Sequence, residues 1–287
     1  MGRPKIDLHQ KLRELLSHSR SASSDETPPI DRYENRIAEC RGLLNYLDRR
    51  LRVANYYDAV YEHHMLLQRR MILVTLIEGF ERFLKDLAIV CVNHLAGVTY
   101  DDRFEGFEAS GTELALHFSS NDVGKAMCES NTWLSNDVIN RRFRSILKSP
   151  LGDLCPDFLF PVKPAQSPTA EFPNAQTLSI LWQVRHSITH NSGLLTKADT
   201  ARLRLLAKQP IESSGELAPT VDDLRHVTRF LRELAANTNT RVGKRLAVVL
   251  SEVHQGDPSL FDPQERANAL SQEFTFRLAI NGITGNL

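Results

Sequence analysis

Between about Tyr61 and Ala96 the chain sets Leu66, Leu73, Ile77, Phe80, Leu84, Leu87, Cys91 and Leu95 at three- and four-residue intervals. That is the spacing of one face of an α-helix. Ile72, Leu76, Phe83 and Val90 cover much of the remaining circumference. A helix apolar on so many sides has to be surrounded, so it is expected at the centre of a helical bundle. Only a narrow stripe of Thr75, Glu78, Glu81, Arg82 and Lys85 stays polar. Such a stripe is either a solvated edge, the commoner case, or a row of partners for a site.

A second short segment concentrates chemistry. Arg185-His186-Ser187-Ile188-Thr189-His190-Asn191 combines a permanent cation with two imidazoles that titrate near neutrality. A guanidinium can hold a phosphate and a histidine can move protons, which are the functions that metal-free RNA cleavage requires. Residues five apart on a helix are turned by about 140°, so Arg185 and His190 do not converge automatically. His186 and His190, four apart, share a face, and the long arginine stem can reach around the helix. The plainer alternative is a helix C-terminus whose basic residues complement the macrodipole, with Asn191 and Gly193 ending the helix.

The run Arg-His-Ser-Ile-Thr-His-Asn-Ser-Gly resembles the signature of the HEPN superfamily: an Arg, a polar residue, three variable residues and a His. His186 and Asn191 suit the positions after the Arg and after the signature His. Ile77-Glu78-Gly79-Phe80-Glu81-Arg82-Phe83-Leu84-Lys85-Asp86-Leu87 is similar to the first core helix of HEPN proteins of the RiboL-PSP type, in which an acidic residue lies near the signature Arg. The resemblance covers roughly residues 60 to 240. It implies an all-α HEPN-type bundle and a metal-independent endoribonuclease like those of bacterial toxin and antiviral defence systems. Arg185, His190 and His186 would be its catalytic residues, with Asn191 and either Glu78 or Glu81 in support. It also implies a homodimer, because HEPN ribonucleases bring two signature helices together at one cleft. The alternative it leaves open is a non-catalytic HEPN scaffold, or a nucleotide- or RNA-binding subunit of a defence complex. An antitoxin or other defence-system partner is compatible with either.

Charge is balanced, at 35 basic and 35 acidic residues, so any RNA contact must be local. Arg141, Arg142 and Arg144 with Lys148, interleaved with Phe143, form one candidate patch; a solvated helix face is its plainer reading. Arg202 and Arg204, with Lys208, form another close after the signature. Cys40, Cys91, Cys128 and Cys155 form no Cys-x-x-Cys pair and specify neither zinc nor a disulfide framework. His63 and His64 lack a third ligand at helical spacing, and no Gly-rich phosphate loop or Ser-His-Asp arrangement stands out. No metal and no cofactor are expected. The longest apolar runs fall far short of the roughly 20 residues a membrane helix needs, and Met1 to Gln10 lacks the apolar core of a secretory signal. A cytoplasmic protein without membrane contact is expected.

The organisation expected is an N-terminal helical arm and linker over 1–54, a HEPN-type bundle over 55–240 and a C-terminal helical extension over 241–287. A helix over residues 1 to about 16 precedes a Ser-rich stretch from Ser17 to Pro29. Pro29 to Arg52 forms a helix outside the bundle or used in assembly, and shorter helices fall near 121–131 and 136–148. Pro161 to Pro173 is an irregular connection, after which Asn174 offers a cap for the signature helix. Thr200 to Lys208 forms a short helix, and Thr220 or Asp222 starts a longer one.

Overall fold

The computed structural model describes residues 27–53, 58–99, 102–104, 107, 123–129, 133–152, 155–160, 171–208, 210–211 and 215–287. The helix expected over residues 1–16 lies outside them. Eight α-helices account for most of the described chain: α1 (Pro29–Val53), α2 (Asp58–Leu95), α3 (Val123–Cys128), α4 (Asn136–Ile146), α5 (Glu171–Asn191), α6 (Lys197–Ala207), α7 (Val221–Gly256) and α8 (Pro263–Phe274). The all-α reading therefore holds. No helix among the described residues is long and apolar enough to cross a membrane.

At 38 residues, α2 is the axis of the molecule, and α1, α3, α4, α5 and α7 all pack on it. Ile77, Phe80, Leu84, Leu87, Cys91 and Leu95 are sealed from solvent. Phe80 connects two neighbours, meeting Tyr33 of α1 at 6.0 Å and stacking on Trp182 of α5 at 6.3 Å between ring centroids. Gly124 allows α3 to touch α2, because a Cβ there would lie 2.5 Å from the Ile89 carbonyl oxygen.

The segment Pro29–Val53 is part of the bundle rather than an outside helix. Tyr33, Ile37 and Cys40 recur at helical spacing and are buried against α2. The join is reinforced by Asp86, itself buried, which pairs with Arg82 at 2.8 Å and with Arg32 of α1 at 3.2 Å. Part of the polar stripe on α2 thus fastens helices together: Arg82 also reaches Glu129 at 2.6 Å.

The helices carrying the motif and the long apolar segments, α2, α5 and α7, are joined through α2. α5 packs on α2, α4 and α6, whereas α7 packs on α1, α2 and α8, and no extended α5–α7 interface forms. The boundary drawn at 240/241 falls inside α7, which runs unbroken from Val221 to Gly256. Val242, Leu246 and Leu250 continue the buried face of Leu231 and Leu234 into the same core. Beyond α8, Ala279–Ile280 and Ile283–Thr284 form an antiparallel hairpin. Asn281 and Gly282 turn it with φ of 52° and 82°, the left-handed pair that a two-residue hairpin loop demands.

Two helix starts differ from expectation, and a third falls at Thr220, where it was expected. α5 begins at Glu171, so Asn174 lies inside it rather than capping it; Pro173 falls in the first turn, where its missing N–H leaves no intrahelical bond unmade. α6 starts at Lys197 because Thr196 and Asp199 form a capping box, and Thr220 with Asp223 does the same for α7.

Because residues on both sides of position 240 share one core, the described helices should unfold together. Leu246→Ala is expected to lower the unfolding free energy by about 2–5 kcal/mol and to shift a single urea transition as a whole. A second transition affected by this substitution alone would mark residues 241–287 as a separate unit.

Candidate active site

The signature residues occupy the last two turns of α5. Leu178, Leu181 and Trp182 bury one face of that helix, and Ser187 is sealed beneath it with its hydroxyl donating to the Gln183 carbonyl. Arg185 emerges at the edge of this face. Its Nη2 donates to Glu78 Oε1 at 2.9 Å, and its buried Nε has no acceptor among the described residues. Of the two acidic residues on the α2 stripe, Glu78 meets the arginine. Glu81 instead pairs with Lys85 at 3.5 Å and accepts the Trp133 backbone N–H at 3.4 Å.

His186 and His190 are exposed, and their ring centroids lie 4.6 Å apart with the planes tilted by 47°. Arg185 and His186 line an open cleft of about 840 Å³ between α4, α5 and α6, which Arg202 and Lys208 also line; His190 is not part of its lining. The structure therefore joins the two halves of the motif through His186, which borders the cleft and neighbours His190.

Asn191 is engaged at the start of α6. Its Nδ2 donates to Asp199 Oδ2 at 2.9 Å, while Gln183 Nε2 donates to the other oxygen at 2.8 Å. The same carboxylate accepts the Thr196 N–H and hydroxyl at the start of α6. Burial raises the Asp199 pKa, but the Thr196 hydroxyl and amide, the Asn191 amide and the nearby His186 outweigh it, leaving the carboxyl below its ordinary value.

The patch proposed from Arg141, Arg142, Arg144 and Lys148 does not present one basic face. The Arg142 guanidinium carbon sits over the Trp133 ring, 5.0 Å from its centroid, and Arg144 pairs with Asp157 at 3.3 Å. The Lys148 carbonyl accepts a bond from the buried Arg103, and of the three arginines Arg141 stands exposed with no ionic or ring contact among the described residues. Arg204 is held by the Ile211 carbonyl, which its Nε reaches at 2.7 Å; Arg202 borders the cleft.

One structural contributor was missed by sequence reasoning. Arg70, 5% exposed on α2, donates to the Leu217 carbonyl at 2.7 Å and the Ser192 carbonyl at 3.0 Å, and pairs with Glu216 at 2.6 Å. It fixes the turn that ends α5 against the central helix. The signal was present: Arg70 falls in register with Leu66, Leu73 and Ile77, and a cation on a buried face needs dedicated partners. The turn itself passes through Ser192 and Gly193 at φ of 53° and 87°, and the Gly193 N–H reaches back to the Ser187 carbonyl at 3.3 Å, a left-handed helix termination.

No protein-family profile, curated protein or solved structure matches this chain. The likeness to HEPN proteins rests on the residues themselves.

Two outcomes follow from this geometry. A Cβ at Gly193 would lie 2.7 Å from the Arg70 guanidinium, on a backbone with positive φ, so Gly193→Ala should lower stability by at least about 1–2 kcal/mol. A calorimetric midpoint equal to that of the parent would refute the anchor. For Asp199, whose native pKa is depressed, the stabilising contribution is complete above the unfolded value of about 3.9 and is lost as pH falls through the native value. Asp199→Asn should therefore flatten the acid limb of the stability profile, as read by urea titration at a series of acidic pH values.

Proposed function

We propose that the protein is a HEPN-type, metal-independent endoribonuclease of a bacterial toxin or antiviral defence system. The observation that carries this reading is the Arg185–Glu78 pair at 2.9 Å. It orients a partly buried guanidinium beside two exposed histidines, as the resemblance implies. In the reaction the ribose 2′-hydroxyl attacks the neighbouring phosphate, the leaving 5′-oxygen takes up a proton, and a 2′,3′-cyclic phosphate results. His190 acts as general base or acid. Arg185, oriented by a charge-assisted bond to Glu78, stabilises the charge that develops on the phosphorane. His186 orients the group being cleaved; the Asn191 amide nitrogen is already engaged by Asp199.

Two histidines are needed for concerted acid and base roles, and a second copy of the chain supplies the other pair at a shared cleft. Apolar surface for such pairing adjoins the motif. Met71, 63% exposed, follows Arg70, and Leu194, 57% exposed, stands two residues beyond the Ser192 carbonyl that Arg70 holds. A homodimer buries this surface. A restraining antitoxin or another component of the defence system is the protein partner that a toxic nuclease requires.

The Arg185–Glu78 pair also suits a second reading, a non-catalytic HEPN scaffold in which the pair merely pins α5 to α2. Cleavage assays separate the two. RNA should be cut in the presence of EDTA to give 2′,3′-cyclic phosphate and 5′-hydroxyl ends, and a 2′-deoxy substitution at the cut site should block it. His190→Ala should abolish cleavage while leaving the thermal midpoint nearly unchanged. Retained cleavage in His190→Ala would reject this site, and wild-type protein without cleavage under any condition that permits dimerisation would favour the scaffold.

A further inference from the structure

The cleft beside Arg185 has features that the cleavage reaction itself does not use. Its volume of about 840 Å³ falls within the roughly 300–1,000 Å³ range of small-molecule sites. Trp182 forms part of its wall and is held rigidly: Nε1 donates to Asn136 Oδ1 at 3.3 Å, and the indole stacks on Phe80. Asn140, 6% exposed, also lines the cleft. The Phe158 and Leu159 N–H groups both donate to its Oδ1, at 3.0 and 3.1 Å. Those two bonds fix the amide's orientation and leave Nδ2 as a donor with no acceptor among the described residues. At the rim, Arg202 and Lys208 bring two cations to the same opening as Arg185 and His186.

An aromatic wall, a fixed amide donor and rim cations are the complement of a nucleobase with its attached phosphate. We propose that this cleft is a nucleotide subsite: it takes one unstacked base of single-stranded RNA against Trp182, where Asn140 Nδ2 donates to an acceptor on the base edge, while Arg202 and Lys208 hold an adjoining phosphate. The inference takes its polymer class from the ribonuclease reading. The subsite selects against duplex, because a paired and stacked base cannot enter a concave site without being pulled from its helix. It also places the phosphate next to the bound base within reach of the Arg185–His186 edge.

Binding is measured on the His190→Ala protein, so that cleavage neither consumes the probe nor decides the result. A short single-stranded oligoribonucleotide should change the tryptophan emission on titration, and Trp182→Phe should remove most of that change. The same strand annealed to its complement should bind more weakly by on the order of tenfold or more. Arg202→Gln combined with Lys208→Gln, both exposed positions, should weaken single-strand binding on the order of tenfold and, for the one phosphate they hold, reduce the slope of log affinity against log salt by about 0.7. Leu205→Glu, at a lining position 80% exposed to solvent, places an acid at the rim without disturbing the core and should weaken binding likewise. Equal affinity for single strand and duplex, or affinity unchanged by both the double substitution and Leu205→Glu, would overturn the subsite. Wild-type protein that binds as described but never cleaves would reject the ribonuclease and leave the subsite standing; cleavage that is insensitive to the cleft variants would do the reverse.

Discussion

Burial of α2 on nearly every side is the constraint from which the other features follow. A helix with apolar residues around most of its circumference forces neighbours onto each face, and α1, α3, α4, α5 and α7 supply them. The few polar positions it retains have specific work. Asp86 and Arg82 fasten α1 and the residue after α3, Arg70 fastens the end of α5, and Glu78 meets Arg185. The candidate site accordingly stands on two packed helices, Glu78 on α2 with Arg185, His186 and His190 on α5, rather than on a loop, the arrangement that holds reacting groups most accurately.

Much of the fold was legible in the sequence because it is written in local periodicity. The three- and four-residue spacing in α2 marks its extent and its central place, and Thr220 marks the start of α7, whereas the Thr196–Asp199 box at the start of α6 went unread. What escaped reading depends on tertiary partners. Nothing local tells that Tyr33, Ile37 and Cys40 face α2 rather than another molecule. The continuity of α7 through position 240 was hidden because polar residues from Asn237 to Arg241 interrupt the apolar pattern, although Thr238 and Asn239 are buried there, with Asn239 donating to the Phe274 carbonyl. The Asn281-Gly282 turn was a readable hairpin signal that the helical character of the chain overshadowed.

For the candidate site, the motif singled out Arg185, His186 and His190 as candidates, but spacing alone could not choose which of Glu78 and Glu81, three residues apart on the same stripe, would meet the arginine. The choice depends on where α5 crosses α2. Likewise the cluster from Arg141 to Lys148 looked like a basic patch only because charge was counted without direction: Arg142 covers Trp133 and Arg144 meets Asp157. Positive charge on the cleft side comes instead from residues distant in sequence, Arg185 on α5 with Arg202 and Lys208 at α6, beside the acidic Asp137 and Asp157.

Asp199 gives this arrangement a mechanical property. Its two oxygens accept four bonds, from Gln183 and Asn191 of α5 and from the amide and hydroxyl of Thr196 at the start of α6. One carboxylate is therefore the hinge pin between the helix that carries the histidines and the helix that carries Arg202. The two walls are coupled through it, since releasing Asp199 breaks both of its bonds to α5 and uncaps the start of α6. Separating α5 from α6 at this point therefore breaks the Gln183 and Asn191 bonds together, so these two walls of the cleft respond as a pair.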